Sequence, residues 1–388
     1  MTELRPTRRL LASRLYAAGA IAALLAAVVA AVGVTAAGSD THRSGPRANS
    51  TRPTSSSVAA PSPPLEVLAS SPANGATGVN GATPITFTTT APIDLAAGRP
   101  TIDPALPGTW SAAAHHLTFT PLGAFPPASA VTITLPASLH SIAGSYLHMP
   151  LTLEFRTANG SVLRLQQLLA TLGYLPLHWT ASTPALAGLA ASQRAVFDPP
   201  TGSFAWAWPA VPPTLAATWS PGVVTVITRG AVMAFETDHQ LAVDGIAGPA
   251  VWSALLAANP TPAANPNGYT YALASQTVPE TLRVWHDGTV ISQSPANTGI
   301  PQSPTADGTF PVYERLATQI MKGTNPDGTL YADPVAWVAY FNGGDAIHYI
   351  GRATYGSRQS LGCVEVPYQV GQTIWPHLSI GTLVTVTG

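Results

Sequence analysis

The chain has 388 residues, enough for two or three domains at about 150 residues each. Only 9% of them are charged, against about 25% in an average soluble protein, and the net charge is −1. So few cations exclude the basic footprint of a nucleic-acid-binding protein. A single cysteine, Cys363, excludes a disulfide framework, a cysteine-based zinc site and an iron–sulfur cluster.

Leu15 to Gly38 is one uncharged, mostly apolar run, long enough to span a bilayer as a helix. Arg5, Arg8, Arg9 and Arg14 precede it and would stay in the cytoplasm. Residues 1–38 therefore read as a cytoplasmic tail and membrane anchor, with the rest of the chain outside. A cleaved signal peptide is the alternative, with small residues at Thr35-Ala36-Ala37 near a cleavage site. Residues 39–64 are rich in Ser, Thr and Pro and read as an extended linker.

From 65 to 158, strand signals recur at short spacing. Ile85–Thr88, Leu117–Thr120, Val131–Thr134 and Leu151–Phe155 each alternate apolar and polar residues, with Gly, Pro and Asn clusters between them. This predicts a β-sandwich. With Ser71-Pro-Ala-Asn-Gly-Ala-Thr-Gly-Val79 and Leu117-Thr-Phe-Thr-Pro121, the stretch resembles a bacterial Ig-like domain. His115 and His116 point to opposite faces of a strand and read as structural.

Residues 159–258 read as a split helical module. Val162, Leu165, Leu168, Leu169 and Leu172 form one apolar helix face, and Gly173 is placed to end that helix. Leu165-Gln166, Leu169, Leu172-Gly173-Tyr174, Asp244-Gly245, Gly248-Pro249 and Trp252 resemble the small three-helix peptidoglycan-binding domain. Glu236 stands where that family has a glutamine. An Ala-, Pro- and Trp-rich insertion, about 180–225, separates the halves. Its aromatics are expected to pack on the helices rather than to stack on sugars.

Residues 267–388 return to strands, with Asp287-Gly288 as a hairpin turn and a helix over Tyr368–Trp375. The cysteine lies in Ser360-Leu361-Gly362-Cys363-Val364-Glu365, 15 residues after His348. A thiol becomes a good nucleophile once a neighbouring imidazole takes its proton. A papain-like enzyme has its histidine about 130–150 residues after the cysteine. Only 25 residues follow Cys363, so His348 is the better base. Gly362 allows a tight turn, and the amides of Leu361 to Cys363 are placed to stabilise an oxyanion.

Ile347-His348 followed by Ser360-x-Gly362-Cys363-Val364 resembles the L,D-transpeptidase catalytic domain of the YkuD type. Asn297-Thr298-Gly299, Pro304–Phe310, Met321-Lys322-Gly323 and Phe341–Gly344 add to the resemblance. The fold class it implies is multidomain: an N-terminal membrane helix, an Ig-like sandwich, a helical peptidoglycan-binding-like module and a mostly-β catalytic domain.

The resemblance implies that Cys363 attacks the stem peptide of peptidoglycan at its third, diamino residue. The terminal D-Ala leaves, and a 3→3 cross-link forms with a neighbouring stem. His348 would serve as base and then acid, Ser360, Leu361 and Gly362 as the oxyanion motif. Arg352, Arg358, Glu365, Tyr349 and Met321 are candidate substrate contacts. No metal or cofactor is implied, and carbapenems are expected to acylate Cys363.

Three residues depart from the family pattern. Leu361 stands for a frequent His, Tyr349 for a Gly, and Glu365 for an Arg or Asn, the last a charge change facing the substrate. Arg352 and Arg358 could pair with substrate carboxylates or with Glu365, or be simply solvated. A wall-binding scaffold with an inactive catalytic domain is the alternative reading.

Overall fold

A computed structural model describes residues 63–388 apart from 97, 185 and 259–264. The expected anchor at Leu15–Gly38 and most of the linker lie outside the described residues. Among those described, no helix is long and apolar enough to cross a membrane.

The first unit holds β1 (Val67–Ser71), β2 (Ala76–Val79), β3 (Ile85–Thr89), β4 (Thr101–Asp103), β5 (Gly108–Ala113), β6 (His116–Pro121), β7 (Ala130–Leu135) and β8 (Leu151–Thr157). They form two four-stranded sheets, ordered β1-β3-β6-β5 and β2-β8-β7-β4. Ile85, Phe87, Leu117, Phe119, Val131, Ile133, Leu153 and Phe155 alternate inward and fill the space between the sheets. The expected sandwich is present.

The second unit is more elaborate than three helices. Its elements are α1 (Val162–Thr171), β9 (Leu177–Ala181), α2 (Gly188–Arg194), β10 (Gly202–Trp206), α3 (Pro213–Ala216), α4 (Val226–Asp238) and α5 (Pro249–Ala257). The end of α1 follows from Gly173. Its φ of +78° lets the Gly173 amide reach Ala170 O and the Tyr174 amide reach Leu169 O, satisfying the last carbonyls. At the insertion, β9 and β10 pair antiparallel, with α2 in the connection between them. Sequence reading gave no strands there; the runs are short and rich in Trp and Ala rather than cleanly alternating. Trp179 meets Phe204 tilted at 4.8 Å, Phe204 meets Trp219 edge-on at 5.0 Å, and all three pack against the helical core. These aromatics cover the helices.

The third unit contains β11 (Thr270–Ser275), β12 (Thr281–His286), β13 (Thr289–Pro295), β14 (Gly308–Pro311), β15 (Glu314–Thr324), β16 (Leu330–Asn342), β17 (Asp345–Tyr349), β18 (Val364–Val366), α6 (Tyr368–Ile374) and β19 (Leu383–Thr387). One sheet runs β13-β12-β11-β19-β14 and the other β15-β16-β17-β18. Val284, Val384, Ala339, Ile347 and Val364 belong to the core between them. The Asp287-Gly288 turn joins β12 to β13 with φ of +46° and +80°, the type I′ geometry that suits the twist of a hairpin.

The second and third units share one core. Tyr269, Tyr271, Trp285 and Leu383 pack with Leu169, Trp208, Ile227, Phe235 and Trp252. At the closest approach, α4 meets the turn before β19 through two glycines. A Cβ on Gly230 would sit 2.6 Å from Gly381 O, and one on Gly381 would sit 2.2 Å from Gly230 O. The helical module is thus a fixed buttress of the C-terminal domain.

Glu236 is fully buried in α4. Its Oε2 accepts from the amides of Asp244 and Gly245 at 3.0 and 2.9 Å, while Oε1 has no partner. Burial pushes this carboxyl from its ordinary 4.5 up to about 7, against the lowering effect of the Gly245 amide. A raised carboxyl value means that the folded state holds the proton more tightly. Stability therefore falls as pH rises from the unfolded value through the folded one. Glu236→Gln is expected to raise the melting temperature by roughly 2–6 °C at pH 8 and by much less at pH 5. A gap that does not change with pH in thermal unfolding would contradict this.

Candidate active site

β17 and β18 run parallel, with Ile347 opposite Val364, His348 opposite Glu365 and Tyr349 opposite Val366. Parallel neighbours need a crossover connection. Here residues 350–363 supply it without a helix, and Cys363 is the last residue before β18. The strand pairing therefore sets the proposed base on one strand and the proposed nucleophile at the start of its neighbour. His348, Ser360, Leu361 and Cys363 line one cleft of about 730 Å³. The long β15–β16 hairpin forms another wall, contributing Gln319, Met321, Lys322, Tyr331, Asp333 and Tyr340.

The 350–363 loop is stapled by polar side chains. Ser360 Oγ donates to Cys363 O at 2.6 Å and accepts from the Gly362 amide at 3.2 Å. This closes a tight turn in which Gly362 takes a φ of +120°. That conformation favours glycine, and a Cβ there would also lie 2.4 Å from Asp345 Oδ1. The Gly362 amide is thereby committed to Ser360 and is not free for an oxyanion.

Glu365 is 2% exposed, and its carboxylate is gripped by Arg352 through Nε (2.8 Å) and Nη2 (2.5 Å). Asn297 Nδ2 adds a contact at 3.3 Å, and Asn297 Oδ1 accepts from the Gly356 amide at 3.0 Å. The charge expected to face substrate does line the cleft, where it is paired with Arg352.

His348 is 3% exposed and its Nδ1 lies 3.3 Å from Tyr349 O. A carbonyl only accepts, so this contact places the ring proton on Nδ1 and leaves Nε2 as the basic nitrogen. Burial holds the imidazolium form down, and the Glu365 charge opposes this only in part. The Cys363 thiol donates to Gly344 O at 3.7 Å rather than to the imidazole. Burial pushes it up to about 12; the Ala346 amide pulls the other way, and the Asp345 and Glu365 charges add to the rise. Both shifts favour the uncharged forms, a thiol and an imidazole lining the same cleft.

The structure does not bring every expected residue to the cleft. Met321, Arg352 and Glu365 line it. Arg358 instead points to the buried Glu280 at 3.6 Å. Tyr349 faces the other side of β17, where its ring lies 5.9 Å from Trp337 and 5.2 Å from Tyr368. Alternation along a strand forces this, since Tyr349 adjoins the inward-facing His348. Sequence reading missed Asp345, Asp333 and Tyr340 in the cleft. Only the pairing of β16 with β15 and β17 brings them there, and no local motif marks them.

Three family models match the chain: bacterial Ig-like domain over residues 60–157, peptidoglycan binding domain over 216–255, and L,D-transpeptidase catalytic domain over 256–386. The second match spans α4 and α5 but not α1. A search of curated proteins gives no match. Among solved structures, an L,D-transpeptidase from Mycobacterium smegmatis is 16% identical, with 84% of this chain and 100% of that one covered, at a TM-score of 0.29. L,D-transpeptidase 3 from Mycobacterium tuberculosis, in complex with a faropenem-derived adduct, is 15% identical, with 83% and 98% covered and a TM-score of 0.29. The catalytic domain of the Enterococcus faecium L,D-transpeptidase is 29% identical, with 30% and 96% covered and a TM-score of 0.28. These superpositions are too loose to transfer any detail of the site.

Two outcomes follow from the site as built. Alkylation of Cys363 by iodoacetamide should climb steadily with pH to beyond pH 10, as for a buried thiol; a plateau reached by neutral pH would reveal a thiolate–imidazolium pair. Arg352→Ala strands the Glu365 charge and should cost about 2–3 kcal/mol in denaturant unfolding, less than a fully buried pair because Arg352 is partly exposed. Adding Glu365→Gln should restore most of that loss, and no recovery in the double variant would contradict the pairing.

Proposed function

From a chain that carries an L,D-transpeptidase catalytic domain behind a bacterial Ig-like domain and a peptidoglycan-binding domain, we propose a peptidoglycan L,D-transpeptidase that forms 3→3 cross-links through an acyl-enzyme on Cys363. The observation that carries this reading is the shared cleft: the only cysteine of the chain and a buried histidine on the paired parallel strand line one opening large enough for a peptide.

The thiol first rotates from Gly344 O towards Nε2 of His348. The imidazole takes the proton as sulfur attacks the carbonyl of the third stem residue. Burial disfavours a resting thiolate, so proton transfer and attack are coupled. The Cys363 amide, at the turn held by Ser360, is the candidate donor to the oxyanion. His348 then protonates the departing D-Ala nitrogen, leaving a thioester. An amine from a second stem resolves it.

Met321, Arg352 and Glu365 are the candidate contacts to substrate from the earlier set. The Ig-like and helical units place the catalytic cleft at the wall, outside the cytoplasm. The arginine-flanked apolar segment 15–38 would hold the protein at the membrane.

A wall-binding scaffold with an inactive cleft is the competing reading, favoured by the thiol resting on Gly344 O. Intact-protein mass spectrometry after incubation with a carbapenem separates the two. The enzyme should gain one adduct on Cys363, Cys363→Ala should gain none, and His348→Ala should acylate at least a hundredfold more slowly. An unmodified wild-type protein would leave the scaffold reading standing.

A further inference from the structure

Asp345 opens β17 immediately after Gly344, whose carbonyl receives the Cys363 thiol, and it lines the same cleft as Cys363 and His348. Its two oxygens differ. Oδ2 accepts from the Ala306 amide and from Asn342 Nδ2, both at 3.3 Å. Oδ1 accepts nothing among the described residues, and it lies over Gly362, where the missing Cβ makes room for it. No Lys, Arg or His of the described residues is within ion-pair distance of it. Its charge acts on Cys363 and on Tyr313, the residue before β15.

An anion beside a nucleophilic sulfur is poorly suited to the first half of the reaction, because it opposes thiolate formation. It suits the second half. The acceptor reaches the thioester as an alkyl ammonium, which cannot attack until it loses a proton. We infer that Asp345 is the general base for the acceptor: its unpaired oxygen binds the incoming ammonium beside the acylated Cys363 and takes one proton from it. This rests on the transpeptidase reading above.

The step balances. The ammonium gives its first proton to Asp345 and becomes a neutral amine. That nitrogen attacks the thioester carbon, forming the C–N bond. As the C–S bond breaks, the second nitrogen proton passes to His348 and from there to the departing sulfur. Amide, protonated Asp345, neutral His348 and Cys363 thiol remain, and Asp345 returns its proton to solvent. Burial raises the Asp345 carboxyl above its ordinary value, which makes it a better proton acceptor near neutrality.

The test separates the two halves. Full-length wild type and Asp345→Asn are acylated with a carbapenem, and Cys363 adduct formation is timed by mass spectrometry. Each is then given a tetrapeptide donor with a diamino acid stem as acceptor, and amide product is measured against hydrolysis product. Asp345→Asn should acylate at least as fast as wild type, because a charge that opposes the thiolate is gone. Its amide-to-hydrolysis ratio should fall at least tenfold at pH 7 and recover to within about twofold near pH 10, where an alkyl amine sheds its own proton.

An unchanged ratio at pH 7, or a deficit equal at both pH values, overturns the role of Asp345 while leaving Cys363 acylation intact. If Asp345→Asn fails to acylate, Asp345→Ala with added formate decides: restored transfer supports the base, and unrestored transfer overturns it. A wild-type protein that forms no adduct removes the transpeptidase reading and this inference together.

Discussion

The parallel contact between β17 and β18 is the constraint on which the site depends. Two parallel strands cannot be joined by a tight turn, so the chain must leave His348, travel outward and return in register. A helix usually makes such a return. Here an irregular loop does, and an irregular loop must satisfy its backbone by other means. Asn297 takes the amide of Gly356, Ser360 holds both sides of the turn at Gly362, and Arg352 reaches back to Glu365 on β18. Ser360, Arg352 and Glu365 also line the cleft.

The same arrangement explains the electrostatics. Glu365 sits directly opposite His348 in the strand register, so a buried carboxylate next to the imidazole is built into the pairing. Burial favours the neutral imidazole that can accept a proton; the Glu365 charge opposes this, and Arg352 in turn opposes Glu365. The buried Glu365 carboxylate is therefore matched by a partner 13 residues earlier in the chain.

Much of this was legible in the sequence, for particular reasons. The alternation in Ile85–Thr88 or Val131–Thr134 is a local property, and so is the Asp287-Gly288 turn; both appear where the pattern predicts them. The chemistry and spacing of His348 and Cys363 are local as well. What could not be read was pairing across distance. Arg352 was a candidate for Glu365 among other partners. Arg358 looked equivalent to it but points to Glu280, which belongs to the turn before β12. Asp345 carries no motif, and only the turn at Gly362 brings the two together. The fused core of the helical module and the catalytic sheet was equally hidden, because Gly230 and Gly381 reveal their contact only in three dimensions.

The most direct test of the central claim is product formation from purified disaccharide-tetrapeptide. Incubated with the full-length protein and analysed by mass spectrometry, it should yield a dimer linked between two diamino residues, with one D-Ala released per link. The Cys363→Ala protein should yield none. Unchanged substrate with the wild-type protein, or a dimer that the Cys363→Ala protein makes equally well, would contradict a transpeptidase centred on Cys363.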